Sequence, residues 1–184
     1  MKFFLTLISV LTIFFVPENH AESLPRFEQP ILITSAGQSA DVQIGGVIIK
    51  RTGLKAVLSK NATYRELEDN KTLALVIGVS MKGLGAAGMD LDQENTRVKG
   101  LIEEAHKKDI PILCLHLGGE ARRGELSDRM IRAFLPYAQM VIVLKSGNTD
   151  GLFTKICEAK NIPILEVERA IDVQTPLKEI FAQN

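Results

Sequence analysis

Thr72-Leu-Ala-Leu-Val-Ile-Gly-Val79 decides the fold, because from Leu73 to Ile77 it is apolar at every position. A strand with one wet face alternates apolar and polar residues, whereas a strand covered on both faces does not. Working outward, five more short runs read the same way for the most part: Ile31–Ser35, Leu54–Leu58, Ile110–His116, Met140–Leu144 and Ile162–Val167. Parallel strands need a crossover between each pair, and the intervening stretches are long enough to supply one.

Those stretches carry helix signals. Ser39-Ala-Asp41 opens a segment that runs to Arg51 and stops at Gly53. Thr63-x-x-Glu66 and Asp90-x-x-Gln93 are capping-box patterns. Val98, Leu101, Ile102 and Ala105 form a stripe at helical spacing, and Leu126, Met130, Ile131 and Phe134 form another. Phe153, Ile156 and Cys157 make a third, and Thr175-Pro176 begins a last helix. Strands alternating with helices predict an α/β fold: three layers, doubly wound, around a mainly parallel sheet. The longest crossover lies between the third and fourth strands, which favours the Rossmann-like order 3-2-1-4-5-6; the flavodoxin-like order 2-1-3-4-5 is the alternative. Gly45-Gly46 costs the first helix about 2 kcal/mol against two alanines, so close packing on the sheet is expected there.

Residues 1–21 stand apart. Lys2 precedes an apolar run, Phe3 to Val16, which is too short to span a bilayer and is followed by Pro17-Glu-Asn-His-Ala21. This pattern predicts a signal peptide, with an uncleaved N-terminal anchor as the alternative, and places the protein in the periplasm or outside the cell. Residues 22–184 then form a single α/β domain. The chain has 22 basic and 22 acidic residues. That balance excludes a general nucleic-acid binder, and no second long apolar run offers a membrane span in the mature chain. Cys114 and Cys157 lie among apolar residues and read as small buried hydrophobes, with a bridge between them as the lesser alternative.

In open α/β sheets ligands sit beyond the carboxyl ends of the strands. Four polar, glycine-rich loops leave those ends: Ser35-Ala-Gly37-Gln38-Ser39, Ser80-Met-Lys82-Gly83 to Asp90, His116-Leu-Gly118-Gly119-Glu-Ala-Arg122-Arg123-Gly124, and Lys145-Ser-Gly-Asn148-Thr-Asp150-Gly151. The first feeds a helix N-terminus, where Gln38 and Ser39 add donors for an anion, unless Ser39 only caps its helix. Arg122 or Arg123 offers paired N–H donors to a carboxylate or phosphate. The two point in different directions, so one reaches the site and the other pairs with Glu120 or Glu125. His116 at a strand tip is the candidate acid/base, or else a structural histidine.

Gly83-Leu-Gly85-Ala-Ala-Gly88 has the letters of the dinucleotide fingerprint but follows the third strand and begins late, so it reads as a glycine-rich flap carrying Lys82. Asp90, Asp92, Glu94 and Asp150 lack the spacing of a calcium loop. No cofactor or metal is expected. Ser39, His116 and Asp150 could converge as a hydrolytic triad, though no G-x-S-x-G elbow is present.

Taken together, Ile31-Leu-Ile-Thr-Ser35-Ala-Gly-Gln-Ser39, Lys82 to Asp90, His116 to Gly124, Ser127-Asp128 and Gly147-Asn-Thr-Asp-Gly-Leu-Phe153 resemble a family of exported bacterial proteins described as a domain of unknown function, DUF6305. The resemblance covers about Pro30 to Phe181 and implies an α/β sandwich and export, with no catalytic residue, cofactor or substrate. The residues themselves predict a binding protein for a small anionic or polyhydroxylated solute. In it Gln38 and Ser39 hold one end, an arginine holds the acid, and Asn148 and Asp150 take a hydroxyl or amine. A small envelope hydrolase or transferase, or an accessory domain of a transporter or secreted complex, is the alternative.

Overall fold

The computed structural model describes residues 24–181. The expected signal peptide lies outside them. Six strands, β1 (Ile31–Ala36), β2 (Ala56–Leu58), β3 (Thr72–Ile77), β4 (Ile112–His116), β5 (Met140–Leu144) and β6 (Ile164–Val167), form one sheet in the order β2-β1-β3-β4-β5-β6. Every pairing is parallel. The helices are α1 (Asp41–Arg51), α2 (Met81–Ala86), α3 (Leu91–Lys107), α4 (Glu125–Phe134), α5 (Leu152–Lys160) and α6 (Gln174–Ile180).

The doubly wound α/β class is the one expected. Of the two strand orders, the flavodoxin-like one is observed, extended by β6, and 3-2-1-4-5-6 is not. β1 pairs along its whole length with β3, from Ile31↔Thr72 to Ala36↔Ile77, so the chain crosses over β1 after β2. The β3–β4 connection is long because it holds two helices, yet it returns to the adjacent strand, with Leu73 opposite Ile112.

The unbroken apolar code of β3 has the expected cause. Leu73, Leu75 and Ile77 pack with Leu101 of α3, Ile131 of α4 and Phe153 of α5 on one face. Ala74 and Val76 pack with Val42 and Ile49 of α1 and Leu177 of α6 on the other. Burying each large aliphatic side chain contributes about 1.5–3 kcal/mol before the entropy of ordering it. The expectation fails at β2. It is a three-residue edge strand whose every residue is exposed, because no strand lies beyond it and α1 leaves its outer edge open.

Gly45 and Gly46 behave as expected. A Cβ on Gly45 would stand 2.9 Å from Ile33 Cδ1, and one on Gly46 3.1 Å from Leu58 Cδ2. The missing side chains let α1 lie directly on β1 and β2. Cys114 and Cys157 are both free and buried in the cluster under α3, α4 and α5. Burial pushes both thiols up, Cys157 to about 11, so neither offers a thiolate nucleophile.

Candidate functional site

β1 and β3 are neighbours whose following connections leave toward opposite faces, α1 to one and α3 to the other. This is the switch point of the sheet, where the two connections part and leave a crevice. The loop after β1 turns there through two left-handed residues, Gly37 at φ +111° and Gln38 at φ +60°. A Cβ on Gly37 would overlap the Gly78 carbonyl at the end of β3, so only glycine fits. Gln38 is not a residue that favours this conformation, and its surroundings hold it.

Those surroundings centre on Glu94, wholly buried in α3. Its carboxylate accepts hydrogen bonds from the Gly37 N–H at 2.8 Å and from Gln38 Nε2 at 3.1 Å. Arg97, one turn on, donates to both carboxylate oxygens at 2.8 Å and reaches the Ala62 and Ser35 carbonyls. Burial opposes the charge on Glu94, yet the Arg97 guanidinium and the Gly37 and Gln38 donors outweigh it and hold the carboxyl below its ordinary range. Gln38 also bridges to Val79, and Gly37 accepts from the Ser80 N–H at 2.8 Å. The Val79 N–H in turn donates to Ser127 Oγ at 2.9 Å.

Ser39 is buried, and its Oγ donates to Asp41 Oδ2 at 2.8 Å while accepting the Asp41 N–H at 3.1 Å. Asp41 Oδ2 also accepts from Arg122 Nε at 3.2 Å. The Arg122 side chain lies over Gly78 and Gly118, and a Cβ on Gly118 would collide with it. It remains about a third exposed. Among the described residues, neither Arg122 Nη atom nor Asp41 Oδ1 takes a hydrogen-bond partner.

Arg123 turns the other way. It donates to Asp128 Oδ1 and Oδ2 at 2.7 and 3.0 Å, to Asp150 Oδ1 and Oδ2 at 2.9 and 2.8 Å, and to the Gly147 carbonyl. Of the two arginines, Arg122 is the one that lies on the rim beside Asp41. The other pairs with Asp128 and Asp150, not with Glu120 or Glu125, since the loop swings it toward β5. Both acids are held below the usual carboxylate range by the Arg123 guanidinium. Arg123 also lies over Phe153, 5.7 Å from the ring centre.

His116 is buried at the tip of β4, with Nδ1 2.9 Å from the Ile77 carbonyl and Nε2 3.1 Å from the Gly119 carbonyl. Its ring lies 5.0 Å from that of Phe153. Gly119, left-handed at φ +55°, has no room for a Cβ beside Ser146 Oγ. Burial lowers the His116 pKa, opposed by the two carbonyls and aided by Arg123. A ring facing two backbone oxygens serves the structure, and neither nitrogen is free to act as acid or base toward a substrate.

Asn148 is likewise buried. Its Nδ2 donates to Thr154 Oγ1 at 2.7 Å and to Glu166, and its Oδ1 accepts the Phe153 N–H at 2.9 Å, fixing the start of α5. Asp150 faces Arg123. Ser39, His116 and Asp150 therefore bond to three different sets of partners, and the hydrolytic triad does not form. The expected flap is the helix α2 instead: Ser80 Oγ caps it by accepting the Gly83 N–H at 3.1 Å. A Cβ on Gly83 would collide with the Gln38 carbonyl, which seats α2 on the β1 loop. Lys82 is exposed on that helix.

The four loops thus meet on one rim, as two linked groups. Gln38, Ser39, Gly118 and Arg122 gather at β1, β3 and β4, with Lys82 on the adjoining α2; His116, Gly119, Arg123, Asn148 and Asp150 gather at β4 and β5. Asp41, Glu94 and Arg97 were not foreseen in these roles. A Glu-x-x-Arg spacing on a helix signals an ion pair, but nothing in it tells that the pair is buried. Among the described residues no cluster of three His, Cys, Asp or Glu side chains could hold a metal ion.

The family described as Domain of unknown function (DUF6305) matches residues 28–181. No curated protein matches the chain. Among solved structures, AlinE4, a SGNH-hydrolase family esterase, is 11% identical with a TM-score of 0.31, over 87% of this chain and 84% of that one. A GDSL-like lipase from Bacteroides thetaiotaomicron VPI-5482 is 11% identical with a TM-score of 0.35, over 74% of this chain and 66% of the lipase. At this identity and superposition neither neighbour's activity transfers to this chain.

Proposed function

Because the chain belongs to the DUF6305 family, whose description carries no activity, we propose a function from its own side chains: it binds a small anionic or polyhydroxylated solute in the crevice between the loops that follow β1, β3 and β4. The observation that carries this reading is the Arg122–Asp41 pair. Arg122 is oriented by a single bond from Nε, and its two Nη ends remain open beside the open Oδ1 of Asp41. A forked donor next to an acceptor matches a carboxylate or phosphate flanked by a hydroxyl, or a vicinal diol. Asp41 offsets the arginine's charge, so hydroxyl contacts matter to affinity as well as the anion.

Gln38, Ser39, Arg123, Asn148 and Asp150 shape this mouth by holding its loops, and Lys82 on α2 adds a positive charge at its margin. If the leader directs export, the site serves the cell envelope. A single domain of this size would then close over its solute only with help from a transporter or other envelope partner.

The test is a thermal-shift screen with phosphate, citrate, gluconate, glycerol phosphate and free sugars, followed by calorimetry of any hit. A true ligand raises Tm as its concentration exceeds Kd. Arg122→Ala should weaken binding by about 1.5–3 kcal/mol, the worth of a hydrogen bond to a charged group. Equal binding by the wild type and a folded Arg122→Ala variant would overturn the reading.

A further inference from the structure

A second surface lies at the β2 edge, away from the rim. Its backbone alternates as any strand's does. Lys55 O accepts from Ile31 N and Ser59 N donates to Ile33 O, so the odd-numbered residues bond to β1. The N–H and C=O groups of Ala56 and Leu58 therefore point outward. Apolar side chains flank this edge on both faces of the sheet. On the α1 side, Val47, Leu54 and Leu58 line a groove of about 760 Å³. Val57 also borders this groove, but its pairing with Leu32 turns its side chain toward the opposite face of the sheet; Val47 and Val57 are each 52% exposed. The charged residues lining the groove are Lys50 and Lys55, both basic, and Arg51 lines the apolar surface that continues around α1.

We infer that this edge receives an extended, acidic segment of another protein, which adds to the sheet as a seventh strand beside β2. Three features select that occupant. The outward amides and carbonyls need hydrogen-bond partners once covered, and a strand supplies them whereas an anionic lipid surface leaves them unpaired. Exposed valines on both faces suit the alternating side chains of a strand, while a membrane would cover only one face. A second copy of this chain would bring Lys50 and Lys55 against their own kind, and the basic margin instead complements aspartate and glutamate.

The probe is an acetylated peptide alternating valine with glutamate, followed by amide NMR of the full domain. Saturable shifts centred on Ala56 and Leu58, with slowed exchange of those two amides, are expected. Binding should weaken at least tenfold, about 1.4 kcal/mol, in Val47→Asp and in Val57→Lys. Both positions are more than half exposed, so an unchanged Tm certifies the fold. A peptide N-methylated on its bonding edge should not bind. The inference is overturned if the edge amides do not respond, if the N-methylated peptide binds equally well, if only phosphatidylglycerol vesicles bind, or if the response is self-association.

Discussion

Glu94 and Arg97 lie one turn apart on α3 and meet at 2.8 Å beneath the loop that follows β1. The glutamate is wholly buried, and its one carboxylate bonds to both left-handed residues of that loop. The rim therefore depends on the first two turns of α3, where Glu94 is the fourth residue and Arg97 the seventh.

Removing one member of a buried ion pair strands the other. Glu94→Ala should destabilise the domain by about 3–5 kcal/mol, read from the urea midpoint. Replacing both residues, as in Glu94→Leu with Arg97→Met, should cost less than the single change. A single variant within about 0.5 kcal/mol of wild type would show that the pair contributes little.

Arg123 should matter more to order than to binding. Arg123→Ala leaves Asp128 and Asp150 as near-neighbour anions and releases the Gly147 carbonyl, so hydrogen exchange should accelerate from Gly147 to Phe153. The loss of stability should be about 2–3 kcal/mol, with any solute affinity that depends on Arg122 retained.

The acid limb of stability follows from depressed carboxyls. Glu94, Asp128 and Asp150 all have folded pKa values below their unfolded ones. Protons therefore bind the unfolded chain first, and stability that is full above about pH 4.3 falls as pH drops through the folded values. Asp128→Asn should flatten that slope in urea titrations run from pH 6 to 2; an unchanged slope would contradict the assignment.

His116 acts in a higher window with the same sign. Its folded pKa is lowered, chiefly by burial, so stability falls as pH drops below about 6.5, where the unfolded imidazole takes up a proton and the buried one resists it. NMR titration of the ring should give a midpoint below that of a free histidine. A midpoint above it would mean that the two carbonyls win over burial.

Two glycines of α2 should respond in opposite directions. Gly85 has open space around it, so Gly85→Ala should stabilise the helix by about 0.5–1 kcal/mol. Gly83→Ala drives a methyl into the Gln38 backbone. It should lower Tm and shift the amide resonances of the β1 loop. Equal effects at the two sites would deny that α2 is seated on Gln38.

The sheet was legible in the sequence because burial on both faces leaves no polar position, as in β3. The strand order was not, because loop length reports how much chain intervenes and not where it returns; α2 and α3 fill the long connection without a jump. β2 misled for a related reason, since apolar composition does not say whether a neighbour exists to cover it. The gathering of the four loops could be read from which strand ends they leave. The division of labour among them could not: Arg122 and Arg123 are adjacent and chemically alike, and only the turn at Gly119–Arg122 decides that one faces Asp41 and the other Asp128 and Asp150. Gln38 gave no sign of its left-handed backbone, since the Glu94 contact that enforces it comes from more than fifty residues away.

The doubly anchored turn at Gly37 and Gln38 has a thermodynamic corollary. A mouth already frozen at folding has little motion left to surrender when a guest arrives. Association there should resemble a key entering a finished lock, with calorimetric entropy dominated by released water, and close chemical analogues should be rejected because the turn cannot reshape itself around them.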